Sequence, residues 1–166
     1  FKSGNIDNYI SKLDAIIKTT EFAVIIQAPE SPAVLEKALS IFGAEHAFVF
    51  NGITDQNTEA VLEIYKKYKF IPVVNIKMND TDIAKKSNLL SANKIDKAFI
   101  KIENTNLPEM INNNVIARRS ALKKTNPLFT YPVLVEPSVP GDLVSNTFTA
   151  ILGICKYASI IQLTTY

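Results

Sequence analysis

Cysteine and histidine are nearly missing from this sequence. Cys155 is the sole cysteine among 166 residues and His46 the sole histidine. One cysteine excludes an internal disulfide. One Cys and one His cannot build a tetrahedral zinc site or an iron–sulfur cluster within the chain, so no metal site is expected. Any Ser–His–Asp or Cys–His nucleophile would have to use His46. That residue precedes a strand, at the end opposite the one where α/β sites form. Glycine is also sparse, at five residues. The first strand–helix loop, Gln27-Ala28-Pro29-Glu30-Ser31-Pro32, has none. A dinucleotide loop needs glycines there so that backbone N–H groups reach the pyrophosphate, which argues against a Rossmann site.

Long apolar runs are missing too. None reaches the roughly 18 to 20 residues that span a bilayer. The start, Phe1-Lys2-Ser3-Gly4, has no apolar signal region and no initiator Met, as expected of a piece of something longer. Neither sign of charge dominates: 18 Lys and Arg face 16 Asp and Glu, for a net charge of +2. Such a balance offers no general attraction to nucleic acid or to a membrane surface. A cytoplasmic protein of ordinary composition is expected, with 47% hydrophobic and 20% charged residues.

What is there is a repeat. Apolar runs of strand length fall at Phe22–Gln27, Ala47–Asn51, Ile71–Ile76, Ala98–Ile102, Val133–Glu136 and Ser159–Leu163. They recur about every 25 residues and are apolar on both faces, as strands of a covered parallel sheet are. Amphipathic segments separate them. Ile6, Tyr9, Ile10, Leu13, Ile16 and Ile17 share one helical face. Ser31-Pro32 reads as N-cap and first helical position, with Gly43 as the stop. Further helices are expected over Thr54–Tyr68, about Asp80–Ala92, from near Pro108 with Ile111, Val115, Ile116 and Leu122 as its apolar side, and from Gly141-Asp142 through Ile154.

Strand, helix, strand without interruption implies parallel pairing through right-handed crossovers. We expect one α/β domain over residues 1–166 with about six parallel strands in sequential order, part of a (β/α)8 TIM barrel. An open doubly wound parallel sheet is the alternative. A closed eight-stranded barrel needs at least about 200 residues.

In either architecture, ligands bind beyond the C-terminal ends of the strands. The residues there are Gln27, Asn51, Asn75, Lys77, Lys101, Glu103, Glu136 and Gln162. Polar residues at strand ends ordinarily just meet water. They include no acid–base pair at a recognisable spacing, and no catalytic residue is assigned. Asn51, Asn75, Gln27, Glu136 and Gln162 are the candidate ligand-binding residues, and the two Asn amides could hydrogen-bond a heterocycle. Pro140-Gly141-Asp142 could bind an anion at a helix N-terminus, or be a turn with an Asp cap. Cys155, flanked by Ile154 and Lys156, is expected to be a packed thiol. Arg118, Arg119, Lys123 and Lys124 place four cations at one helix end, where they complement its dipole. Arg118 and Arg119 could also contact a partner or an anion.

That basic helix carries a resemblance. Ile116 to Pro132, "IARRSALKKTNPLFTYP", followed by "VLVEPS" and later "ICKYASIIQL", resembles the large (gamma) subunit of the corrinoid/iron–sulfur protein of the acetyl-CoA decarbonylase/synthase (CO dehydrogenase/acetyl-CoA synthase) complex. That family has an Arg-Arg helix before a Tyr-Pro or Phe-Pro strand, then a Lys-Tyr-Ala or Arg-Tyr-Ala segment. "SPAVLEKAL" is similar to its Asp-Pro-Glu-Val-Leu helix, with Ser31 in place of Asp. The resemblance implies the TIM-barrel region only, from the barrel's second helix through its third to eighth strands. The family's four-cysteine motif and corrinoid-binding domain are not found in these residues. Glu103-Asn104-Thr105-Asn106 stands where the family has an Asp-Pro-Gly-like turn.

The resemblance therefore implies a scaffold or docking module in methyl transfer between methyl-pterin, corrinoid and acetyl-CoA synthase, in an anaerobe's one-carbon metabolism. No cofactor would be bound by this chain alone; corrinoid and a [4Fe-4S] cluster belong to the complete family protein. Partners would be other subunits or a second copy. Two other classes are a small enzyme that binds a pterin or similar heterocycle at the strand ends, and a non-catalytic interaction domain. A partial barrel leaves edges at Phe22–Gln27 and Ser159–Leu163, which a partner, a distorted closure, or the terminal segments Phe1–Asn5 and Thr164–Tyr166 would cover.

Overall fold

A computed structural model describes residues 6–27, 31–137 and 142–163. The chain divides into two compact units, Phe1–Val73 and Val74–Tyr166. The first unit holds α1 (Ile6–Ile17), β1 (Val24–Ile26), α2 (Pro32–Phe42), β2 (Phe48–Phe50), α3 (Thr58–Tyr68) and the start of β3 (Ile71–Ile76). Strand β1 pairs with β2 in parallel, Val24 opposite Phe48 and Ile26 opposite Phe50. Strand β2 pairs with β3 in parallel, Phe50 opposite Pro72.

The face of α1 read from the sequence is the one that packs, through Ile10, Leu13 and Ile17. Pro32 opens α2, although the Ser31 side chain makes no capping hydrogen bond. Helix α3 starts four residues later than expected. Asn57 accepts the Thr54 N–H at 2.8 Å and donates to the Gly52 carbonyl at 2.8 Å, and this local turn outcompetes a helical first turn. Phe70 meets Phe50 and Tyr65 edge-to-face, with centroids 6.0 and 5.6 Å apart.

The second unit holds the end of β3, then α4 (Asp80–Ala92), β4 (Phe99–Ile102), α5 (Leu107–Lys123), a 3-10 turn (Pro127–Thr130), β5 (Val133–Val135), α6 (Leu143–Cys155) and β6 (Ile160–Ile161). Parallel pairs join β4 to β5, with Ile100 opposite Val133, and β5 to β6, with Leu134 opposite Ile160. The Glu103 N–H donates to the Ile76 carbonyl at 2.9 Å, which ties the end of β3 to the end of β4. The strand order is β1-β2-β3-β4-β5-β6. Sequential parallel order is that of a partial TIM barrel, whereas a doubly wound sheet would place an early strand in the middle.

Two helices of this unit differ from their sequence reading. Helix α5 does not bury Ile111, Val115, Ile116 and Leu122. It buries Met110, Asn113, Asn114 and Ala117, leaving Ile116 and Leu122 exposed. Helix α6 begins where expected, its Asp142 carboxylate accepting the Ser145 N–H at 2.8 Å. Pro140 and Gly141 lie outside the described residues, as do Phe1–Asn5 and Thr164–Tyr166. Gly153 is the only residue of α6 that is buried.

Candidate functional site

In the second unit, the C-terminal ends of β4 and β5 open onto a cavity of about 430 Å³. Lys101, Glu103, Asn104, Asn106, Glu136 and Thr149 are among its lining residues. Lys101 leaves β4 and Glu136 follows β5, and the parallel register brings them together as an ion pair. The Glu136 side chain is 6% exposed and that of Lys101 28%, so the carboxylate is sheltered while the ammonium reaches solvent.

The loop after β4 is fixed by its own side chains. Asn106 caps α5 by accepting the Glu109 N–H at 2.9 Å. The Glu109 carboxylate accepts the Thr105 N–H at 2.8 Å and the Thr105 hydroxyl at 2.5 Å. This is a reciprocal capping box displaced by one residue. These hydrogen bonds, the hydroxyl first and then the backbone N–H, hold the Glu109 carboxyl below the usual carboxylate range. Asn104 in turn accepts from the Asn113 amide at 2.8 Å, which accounts for a polar side chain on the packed face of α5.

The sequence candidates are only partly gathered here. Glu136 lines the cavity; Asn75 and Gln162 of the same unit do not. Asn75 lies within β3 rather than past its end. Gln162 follows β6, its N–H donating to the Val135 carbonyl at 2.9 Å. Asn51 and Gln27 belong to the first unit. Asn51 is buried, its N–H bonded to the Ile26 carbonyl at 2.9 Å, and Gln27 is exposed. His46 is half-buried ahead of β2. Arg118 and Arg119 are exposed, and the Arg118 guanidinium stands 5.9 Å over the Tyr157 ring. Lys101, a strand-end residue in the sequence though not one of its five ligand candidates, and the Asn104–Asn113 pair carry the loop geometry. The signal for the second was Asn104 preceding an Asn-Xaa-Xaa-Glu helix start.

A second feature is apolar. Leu143, Val144, Phe148, Ile151 and Ile154 of α6 are all exposed, Phe148 at 58%, and Tyr157 and Leu163 beyond it are exposed as well. Val144, Phe148, Ile151 and Cys155 follow one another at spacings of four, three and four, so they form a single stripe along the helix. Cys155 is exposed, contrary to the packed thiol expected from its apolar neighbours, because α6 turns little but Gly153 inward.

Among the described residues, no group of three or more His, Cys, Asp or Glu is placed to hold a metal ion. No helix among them is long and apolar enough to cross a membrane.

The family model of CdhD, the CO dehydrogenase/acetyl-CoA synthase delta subunit, matches residues 1–166. The chain belongs to that family. No curated protein matches it. The match corrects the gamma-subunit resemblance while keeping the same complex. The residues behind that resemblance serve local packing: Ala117 is buried, Tyr131 donates to the Ile95 carbonyl, and Pro132 leads into β5. A junction of that kind specifies a helix–strand connection and does not distinguish one subunit from another.

Proposed function

We propose that this chain is a docking subunit in the methyl-transfer section of the cytoplasmic CO dehydrogenase/acetyl-CoA synthase system, and that α6 is the face on which another subunit sits. The observation that carries this reading is the exposure of α6. An apolar helix stripe is ordinarily turned toward a core, and large contiguous apolar surface marks a protein contact. Here five large apolar side chains on one helix face solvent while a glycine faces the sheet. Membership of a family named for one subunit of a complex supplies the kind of occupant.

In this reading an iron–sulfur cluster belongs to other parts of the system. A [4Fe-4S] cluster needs four thiolates, and these residues contain one cysteine. A four-thiolate cluster does not fit the donor set of these residues, and in this reading the chain holds and orients its partners.

A second reading has its own support in the buried Glu136 carboxylate. A small polar molecule could occupy the cavity past β4 and β5, between Lys101, Asn104 and Glu136. Of the strand-end candidates from the sequence, Glu136 is the one that favours this reading.

The test of docking is a pair of charged substitutions on the exposed stripe, Phe148→Asp and Ile151→Asp. Both sites already face solvent, so the isolated chain should keep its circular dichroism and its urea midpoint. Co-purification with the other subunits should weaken by a hundredfold or so, equivalent to roughly 2–3 kcal/mol at a buried apolar anchor. Undiminished co-purification would overturn the assignment.

A further inference from the structure

We propose that the second unit binds a small oxyanion that also carries a hydrogen-bond donor, such as hydrogen phosphate or a hydroxycarboxylate, in the cavity between α5, the 3-10 turn and β6. This goes beyond the docking reading and does not rest on it.

Three observations converge. Asn114 is 1% exposed, and neither its amide nitrogen nor its amide oxygen has a hydrogen-bond partner. Buried amides in native proteins are almost always paired, and one left unpaired is costly. Asn114 also lines a cavity of about 200 Å³, along with Arg118, Thr130, Tyr131, Tyr157 and Ser159. Arg118 and Asn114 lie one helical turn apart on α5, so they share a face. Finally, no acidic residue is among the cavity's lining residues. Thr130 donates its hydroxyl proton to the Pro127 carbonyl and Tyr131 to that of Ile95. That leaves one guanidinium, one amide and the Tyr157 and Ser159 hydroxyls facing the cavity, a set that matches an oxyanion.

The amide fixes the class further. Its nitrogen donates and its oxygen accepts. An anion with acceptors only, such as sulfate, would satisfy the nitrogen and leave the oxygen unpaired. Hydrogen phosphate or a hydroxycarboxylate can satisfy both, while the Arg118 guanidinium takes the charge. Arg118 and Tyr157 are exposed, with the guanidinium 5.9 Å over the ring, so this side of the cavity is open to solvent.

The experiment is an NMR titration of the whole chain, labelled with nitrogen-15, using inorganic phosphate, glycolate and sulfate at constant ionic strength. Phosphate or glycolate should shift the Asn114 side-chain amide resonances saturably, and sulfate should bind at least tenfold more weakly. Arg118→Gln should weaken binding by tenfold or more, while the neighbouring Arg119→Gln leaves it unchanged. Both sites are exposed, so both variants should fold. Sulfate equal to phosphate, equal losses in the two Arg variants, or no saturable shift with any anion would each overturn the proposal.

Discussion

Lys101 and Glu136 are joined across neighbouring parallel strands, the carboxylate sheltered and the ammonium partly in solvent. Taking away the cation alone leaves the sheltered carboxylate without its counter-ion. Lys101→Met should therefore destabilise the second unit by about 2–4 kcal/mol, somewhat less than for a fully buried pair because Lys101 reaches water. Replacing both, as Lys101→Met with Glu136→Leu, should recover most of that loss, since an apolar pair of similar volume substitutes well for a buried ion pair. Urea unfolding of the single and double variants checks this, and a double variant no better than Lys101→Met would contradict it.

Glu109 gives a pH-dependent test of the loop after β4. Its carboxyl sits below the usual range because Thr105 donates to it twice. A carboxyl depressed in the folded state adds stability above its unfolded pKa of about 4.3 and loses that contribution as pH falls through the folded value. Thr105→Val removes the hydroxyl, the larger cause. The Glu109 carboxyl should then titrate at higher pH, while its bond to the Thr105 N–H keeps it from returning fully. Carbon-detected NMR titration of the two proteins measures this directly; identical titration curves would show that the hydroxyl bond does not form.

Much of this architecture is legible in the sequence, and the exceptions share a cause. Helix α4 runs from Asp80 to Ala92 and strand β3 from Ile71 to Ile76, as their periodicity and flanking residues indicate. Other strands are shorter than their apolar runs: Phe22 and Leu163 lie outside any strand and are exposed. Local side-chain bonds delayed α3, and Asn126 with Pro127 formed a 3-10 turn, its Asn accepting the Leu128 N–H at 2.9 Å.

The larger errors concern which face of a helix turns inward. Helix α5 packs Asn113 and Asn114 inward while Ile116 and Leu122 face out. Helix α6 looks from its composition like a core helix yet buries one glycine. Hydrophobicity marks surface that must be covered but does not say whether the same unit or another molecule covers it. The strand-end cavity was half visible. Glu136 was identified from its position, but its pairing with Lys101 depends on the β4–β5 register, which no local pattern encodes.

Cys155 offers the most direct measurement of the docking role. It completes the stripe of Val144, Phe148 and Ile151 and is exposed in the chain alone. As the sole cysteine, it needs no engineering to report on that face. In the isolated chain a maleimide should modify it at the rate of an unhindered thiol. Once the chain is assembled with the other subunits, modification should slow by at least about tenfold, as the core of a protein contact excludes solvent. Equal rates in the isolated and assembled states would show that the α6 face stays open in the complex and would contradict the account.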